Sequence, residues 1–202
     1  MKEDVLEQIV DDYLQLKGYF TTHNVRFRPH RDHPDWSKNA DSVRSDVDVV
    51  GLHPRRNDLS RVVVVSCKAW QGGFDASAIL TQLRGERANP VRETWKHFGE
   101  LWVPKWSEAF RSKIEDLTGS SQFTYLIAVT HLSGDTAAWS SDPVIKENLP
   151  DCEVGFLTLE KMWTEILEAT TTTPASSEVG RLAQLLKAAR LAQAAPVHPP
   201  EA

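Results

Sequence analysis

Hydrophobic residues recur along this chain with two periods, and the alternation between them predicts an α/β fold. Residues 3–17 carry apolar side chains three and four positions apart, as in an amphipathic helix, and Gly18 follows as a stop signal. Three strand-like segments come next, at about 19–27, 46–53 and 61–67. The third holds four consecutive valines and is apolar on both faces, which predicts a central strand covered by helices on both sides.

The second half of the chain alternates helices with strands. Helical patterns cover four segments, which are 75–87, about Pro90 to Trp102, 105–117 and 160–169. Strand patterns cover 123–130 and 153–159, between the last two of these helices. Short turns join the early strands and helices separate the later ones. We therefore predict a mixed central β-sheet flanked by helices, antiparallel at first and then parallel.

One domain over 1–169 accounts for this pattern. A linker at 170–176, a C-terminal helix at 177–195 and a disordered tail at 196–202 are expected to follow. The chain has 202 residues, enough for one hydrophobic core without disulfides. Cys67 and Cys152 lack metal-ligand spacing and are interpreted as buried thiols in a reducing cytoplasm. Neither a signal peptide nor a membrane-length apolar run is apparent, so we expect a soluble cytoplasmic protein.

Charge limits the ways in which the protein can bind nucleic acid. A net charge of −5 argues against sequence-independent wrapping of DNA, which depends on many cationic contacts. Positive charge is nevertheless clustered, and an aromatic residue with a glycine-rich turn follows the third strand. The side chains proposed to contact nucleic acid are Arg26, Arg28, Arg31, Trp70, Gln71, Arg84 and Arg87.

The strongest chemical signal lies in the second and third strands. Asp48 stands in one apolar run, and Lys68 ends the next, after the valines. If the two runs pair as a hairpin, the carboxylate and the ammonium lie side by side at one edge of a sheet. Such a pair can hold a divalent cation and a phosphate together, which favours metal-dependent hydrolysis of phosphodiester bonds.

These motifs, in their order along the chain, resemble the PD-(D/E)XK nuclease superfamily. The resemblance covers about residues 3–86 and rests on Glu7, Tyr13-Leu14, Gly18-Tyr19, Asp46-Val47-Asp48 and Lys68. It is nearest to archaeal Holliday-junction resolvases and Mrr-like restriction endonucleases. The resemblance implies a restriction-endonuclease-like fold and a DNA substrate. It also implies Mg²⁺ or Mn²⁺ held by Asp48 and Glu7, and a water nucleophile assisted by Lys68.

Ser66 departs from the superfamily pattern, which places an acid two residues before the lysine. A neutral hydroxyl cannot supply the second metal carboxylate, and three alternatives follow. The acid has moved to the next helix, where Glu86 fits as a metal ligand; or Gln82, one turn earlier, contributes instead; or the site is inactive.

The function expected from the sequence is a metal-dependent DNA endonuclease, in restriction or phage defence. A catalytically inactive, nucleic-acid-binding or regulatory partner subunit is the alternative. A homodimer is also expected, because two cuts in a duplex need two sites. The leucine-rich C-terminal helix can dock a partner protein. His30 and His33 are too few for a zinc site, and the chain has no phosphate-binding loop for ATP.

Overall fold

The computed structural model describes residues 4–88 and 94–191, except for the side chains at 86–88 and 95. The helices are α1 (Val5–Leu16), α2 (Lys38–Asp41), α3 (Ala76–Ala88), α4 (Gly99–Trp102), α5 (Pro104–Thr118), α6 (Ala137–Ser141), α7 (Pro143–Asn148), α8 (Leu159–Ala169) and α9 (Glu178–Ala188). The strands are β1 (Phe20–Phe27), β2 (Ser45–Leu52), β3 (Val62–Lys68), β4 (Phe74–Asp75), β5 (Thr124–Val129), β6 (Leu132–Ser133) and β7 (Glu153–Thr158). Short 3₁₀ turns lie at Leu59–Arg61 and Thr94–His97.

Five strands form a mixed sheet in the order β1-β2-β3-β5-β7. β1, β2 and β3 pair antiparallel, and β3, β5 and β7 pair parallel. The predicted α/β class and the change from antiparallel to parallel pairing are therefore confirmed. β3 is the strand at which the pairing direction changes.

The two faces of the sheet pack against different sets of helices. α3 to α7 cover one face, called here the α5 face, and α1, α8 and α9 cover the other, the α1 face. Successive residues of β3 alternate between them, with Val64 on the α5 face and Val65 on the α1 face, both fully buried. Burial on both faces is what the run of valines predicts.

The structure corrects the sequence interpretation in three places. The 30–44 segment, predicted as a loop, contains α2. The helical region predicted from Pro90 to Trp102 is broken at Phe98, whose φ of −143° is not helical, so that a 3₁₀ turn and the one-turn α4 replace one helix. Between β5 and β7 the chain forms β6, α6 and α7, none of which was predicted. Each of these elements is too short for a periodic pattern to stand out.

The C-terminal helix packs on the α1 face. α9 buries Val179 and Ala183 against the core that α1 and α8 share. Its Leu182 and Leu185 are 50% and 68% exposed. The helix ends at Ala188, before the predicted end at 195, and the predicted tail at 196–202 lies outside the described residues. Over the parts of the chain that are described, no helix combines the length and the apolar character that crossing a membrane requires.

One buried ion pair holds the segment around α2 against α5. Lys105 Nζ lies 2.7 Å from Asp41 Oδ2 and donates to the Asp35 carbonyl at 3.0 Å. The Ser37 amide also donates to Asp41 Oδ2, at 2.7 Å. Burial alone would raise the pKa of Asp41, but these bonds and the Lys105 charge hold it below its ordinary value. The pair therefore fixes one wall of the cleft described below.

Replacing Lys105 with methionine is expected to lower the free energy of unfolding by about 3 kcal/mol at neutral pH, because a buried carboxylate loses its cation. A carboxyl whose pKa is lowered by folding contributes stability above its unfolded pKa and loses it as pH falls. The decrease in the free energy of unfolding caused by Lys105→Met should therefore become smaller as the pH falls. Urea unfolding across this pH range measures it, with Lys113→Met on the same helix as the matched control. An equal loss in both variants would contradict a specific role for the pair.

Candidate active site at the carboxyl end of β3

Asp48 stands where β2 and β3 stop pairing. The last residue pair of their ladder is Val49 with Val65. Two residues after Val65, the Cys67 amide donates not to a β2 carbonyl but to Asp48 Oδ2, at 2.5 Å. The side chains of β2 also stop alternating between the two faces of the sheet here. Val47 and Val50, three residues apart, would lie on opposite faces of a regular strand, but both lie on the α5 face. The carboxylate thus takes the place of a backbone partner and is held between two diverging strands.

Ser66 and Lys68 follow the valines on the α5 face of β3. Alternation along the strand puts both on the same side as Val64, and Ser66 is 4% exposed. The Lys68 side chain is half-buried, with Nζ 5.3 Å from the centroid of the Phe98 ring. A lysine so placed gains from an aromatic face and from nearby carboxylates.

A buried acid that sequence reasoning missed lies beside this lysine. Glu100, on α4, is 5% exposed. Its Oε1 accepts a hydrogen bond from the hydroxyl of Tyr125, a fully buried residue of β5. Burial raises the pKa of Glu100, while the Lys68 charge and the Tyr125 bond oppose the shift. Lys68 therefore has a second carboxylate nearby, supplied by a helix and not by its own strand.

The same balance governs Asp48. Burial raises the pKa of its carboxyl; the Cys67 amide and the Lys68 charge lower it, and the Asp46 charge raises it. The charge of Asp48 in turn raises the pKa of Glu100. Both carboxyls lose solvation, and the charge of Asp48 opposes ionisation of Glu100, so the two form a site whose charged state a cation would stabilise.

Ser66 links the two acids. Hydrogen bonding with the Ser66 hydroxyl lowers the pKa of Asp48 and that of Tyr125. Burial and the Glu100 charge have the larger effect on Tyr125, so its pKa stays well above the usual value. Asp48, Ser66, Tyr125 and Glu100 thus form a chain of neighbouring polar groups inside a core of aromatic and aliphatic side chains, in which Tyr125 donates a direct hydrogen bond to Glu100. A serine at this position connects the first acid to a second one that comes from elsewhere in the chain.

His97 is a further polar group of the site that the sequence interpretation missed. It ends the 3₁₀ turn before α4, and its ring meets that of Trp70 edge-on, 5.7 Å between centroids. Partial burial and the Lys68 charge lower the pKa of His97. The imidazole is therefore neutral at physiological pH and can accept a proton.

Glu7 approaches the site from the opposite face of the sheet. It is half-buried in the first turn of α1. Burial raises the pKa of the Cys67 thiol strongly, and the negative charges of Asp48 and Glu7 raise it further. The charges of Asp48 and Glu7 thus both affect the thiol of Cys67, a residue of β3. Cys67 and Cys152 are half-buried, where buried thiols were expected.

The other two predicted ligands, Gln82 and Glu86, both belong to α3. Gln82 is half-buried on α3. Glu86 lies on the same helix, but its side chain is outside the described residues, as is that of Arg87. The alternatives drawn from α3 for the missing acid therefore stay predictions.

The residues proposed to contact nucleic acid fall into two groups. Arg26, Arg28 and Arg31 are exposed at the end of β1 and just after it, and Gln71 is exposed after β3. Arg84, in contrast, donates through Nε to buried Asp142 at 2.9 Å, and the Trp70 ring stacks on Phe74 with centroids 5.5 Å apart. Arg84 and Trp70 thus already have partners within the protein.

Among residues 4–88 and 94–191, no three His, Cys, Asp or Glu side chains converge as a ready-made metal site. Mg²⁺ is commonly held by one or two carboxylates, with water and substrate phosphate completing the shell. Asp48 and Glu100 fit that smaller set. No protein-family model, curated protein or solved structure matches this chain.

Proposed function

We propose that the protein is a metal-dependent endonuclease that hydrolyses phosphodiester bonds in DNA. The observation that carries the proposal is the convergence of Asp48, Lys68 and Glu100 where β2 and β3 diverge. The expected PD-(D/E)XK arrangement of a carboxylate on one strand and a lysine on the next agrees with this geometry. The second acid comes from α4. It replaces the acid that the superfamily pattern places two residues before the lysine, where this chain has Ser66.

Asp48 and Glu100 would hold Mg²⁺ or Mn²⁺, with Glu7 near enough to act through water. The cation, when bound, lowers the pKa of a water molecule and makes it a nucleophile at neutral pH. Tyr125 and Ser66 hold the carboxylates in place through hydrogen bonds, as outer partners of metal ligands commonly do.

Lys68 supplies positive charge where negative charge develops on the scissile phosphate. The ammonium lies over the Phe98 ring and its charge acts on both Asp48 and Glu100, so positive charge is in place before substrate arrives, and such prior placement is a main source of electrostatic catalysis. His97 is next to Lys68 and is neutral, so it can accept a proton from the attacking water.

Two parts of the proposal concern assembly and cellular role. Cutting both strands of a duplex favours a homodimer, and the exposed Leu182 and Leu185 of α9 provide an apolar surface for a partner protein. A role in restriction or phage defence rests on the superfamily resemblance alone, and a cytoplasmic location is supported by the free thiols of Cys67 and Cys152.

The alternative is a nuclease fold that binds nucleic acid or regulates a partner without cutting. What favours it is the lack of a three-ligand cluster among the described residues. In that case the polar chain from Asp48 to Glu100 would only stabilise the core around Lys68.

Calorimetric titration with Mn²⁺ separates the two functions. We expect the wild-type protein to bind Mn²⁺, and Asp48→Ala to bind it at least about tenfold more weakly, because a carboxylate ligand is lost. Glu147→Gln, which removes an exposed acid on α7, is the matched control and should bind like wild type. The absence of binding heat in the wild-type protein, with unchanged behaviour of Asp48→Ala, would favour the binding module.

A further inference from the structure

A cleft of about 630 Å³ opens beside the candidate active site. One wall is the segment 39–45, which includes the end of α2 and the first residue of β2. The opposite wall is formed by Lys96 and Gly99, and Trp106 of α5 contributes to the lining. Its volume is within the range of about 300–1,000 Å³ that is usual for small-ligand sites.

The cleft is continuous with the catalytic residues along two chain segments. Gly99 directly precedes Glu100, and Lys96 directly precedes His97. On the other wall, Ser45 begins the strand that carries Asp48. Asp48, Lys68 and Glu100 do not themselves line the cleft, but these short connections place its lining within three residues of Asp48 and Glu100 along the chain.

The lining combines apolar surface with positive charge. Val43 is 71% exposed on one wall, and Trp106, which is 8% exposed, also contributes to the lining. Arg44 and Lys96 bring cations to the two walls, and Asn39 brings an amide. Asp46 follows Ser45, and its paired neighbour on β1 is Arg26, so opposite charges neighbour each other at this rim. Apolar surface with cations at its margin is complementary to a nucleobase and its phosphates.

Glycine at position 99 keeps this space open without being required by the fold. A β-carbon there would meet its nearest neighbour, Trp106 Cγ, at 3.7 Å, an ordinary contact distance. Larger residues are therefore sterically possible next to the site, and the small one leaves the cleft wide.

We infer that this cleft holds an unpaired nucleotide next to the scissile phosphate, so that the preferred substrate is single-stranded or locally unpaired DNA. A base inside a duplex is stacked on both faces and cannot enter a concave site unless it leaves the stack. The inference rests on the proposed function and deepens it, because it names the substrate class.

Binding of fluorescein-labelled single-stranded and duplex DNA of one sequence tests the inference by fluorescence anisotropy. The measurement uses the Lys68→Met protein with Mn²⁺, so that cleavage does not interfere. We expect the single strand to bind about tenfold or more tightly than the duplex. In the same background, Arg44→Ala and Val43→Asp should each weaken single-strand binding by roughly tenfold, as expected for loss of a stacking or backbone contact.

Matched controls change the same residue types far from the cleft. Arg55→Ala lies in the turn at the opposite end of β2, and Val5→Asp changes an exposed valine at the start of α1. Both should bind like the parent protein, and thermal midpoints should be unchanged in all four variants because the altered side chains are exposed. Equal affinity for duplex and single strand, or parental affinity in Arg44→Ala and Val43→Asp, would overturn the inference.

The two proposals can fail separately. If the protein without the Lys68 change cuts DNA, but Arg44→Ala and Val43→Asp leave both binding and cleavage unchanged, the cleft assignment is wrong and the nuclease stands. If no DNA is cut, but both variants lose single-strand binding, the nuclease is wrong and the cleft is a single-strand binding site.

Discussion

Replacing Lys68 with methionine is expected to reduce the rate of Mn²⁺-dependent DNA cleavage by on the order of 10³-fold, the effect of removing one preorganised electrostatic partner of a transition state. Methionine keeps the length and apolar stem of lysine, so contact with the Phe98 ring is preserved and only the charge is lost. The loss should appear in kcat, because Lys68 acts where charge develops during the reaction.

Lys146→Met, which removes an exposed lysine on α7, is the matched control for this change. We expect it to cut DNA at the wild-type rate. Single-turnover cleavage, with the protein in excess over labelled DNA, measures the chemical step directly. A Lys68→Met protein that is folded and cuts as fast as Lys146→Met would exclude Lys68 from the reaction.

Glu100→Gln is expected to lower cleavage by about 10²–10³-fold while making the folded protein more stable at neutral pH. Glutamine has the shape of glutamate and can still accept the hydrogen bond from Tyr125, but it cannot neutralise a cation. A large loss of activity in a well-folded variant is what a metal-binding carboxylate predicts. A carboxylate with only a structural role predicts little change in rate.

The stability effect has a definite dependence on pH. Folding raises the pKa of Glu100 above its ordinary value of 4.5 through burial, so the folded state favours the protonated acid. The stability linked to this group is therefore present below pH 4.5 and is lost as pH rises through the folded pKa. Glutamine is neutral, so Glu100→Gln does not lose stability in this way as the pH rises.

Thermal unfolding of wild type and Glu100→Gln across this range measures the difference. The melting temperature of the variant minus that of the wild type should increase with pH. Glu147→Gln again serves as control, because the Glu147 side chain is exposed. Its melting temperature minus that of the wild type should not change with pH. A difference that falls with rising pH would mean that ionised Glu100 stabilises the fold.

The sequence predicts the strand part of the site because the relevant residues stand next to strong patterns. The four valines make β3 unmistakable, and the short turn before them makes an antiparallel pair with β2 the natural arrangement. Once those strands pair, Asp48 and Lys68 must lie at one edge. Local periodicity and topology therefore carry this prediction, including the change to parallel pairing after β3.

Glu100 could not be found in this way, because a one-turn helix has no period of its own. α4 is positioned by Leu101 and Trp102, which are buried with Phe98 in the core on the α5 face. The one available signal is compositional, since an acid within such an apolar stretch is seldom buried without a partner. That rule would have marked Glu100 as unusual, although it would not have named Tyr125 or Lys68 as its neighbours.

The cleft was missed for a similar reason. Its walls, 39–45 and 96–99, belong to a segment predicted as a loop and to one predicted as a continuous helix. Their positions depend on the buried pair of Asp41 and Lys105 and on the break at Phe98. Tertiary contacts of this kind leave no periodic trace in a sequence.

The measurement that tests the central claim most directly is cleavage of labelled plasmid, linear, branched and single-stranded DNA with Mn²⁺, by wild type and by Lys68→Ala. We predict cleavage by the wild-type protein that EDTA suppresses and that Lys68→Ala lacks, with single-stranded or branched DNA cut fastest. Failure of the folded wild-type protein to cut any of these substrates, or equal cleavage by Lys68→Ala, would contradict a nuclease site at the edge of β3.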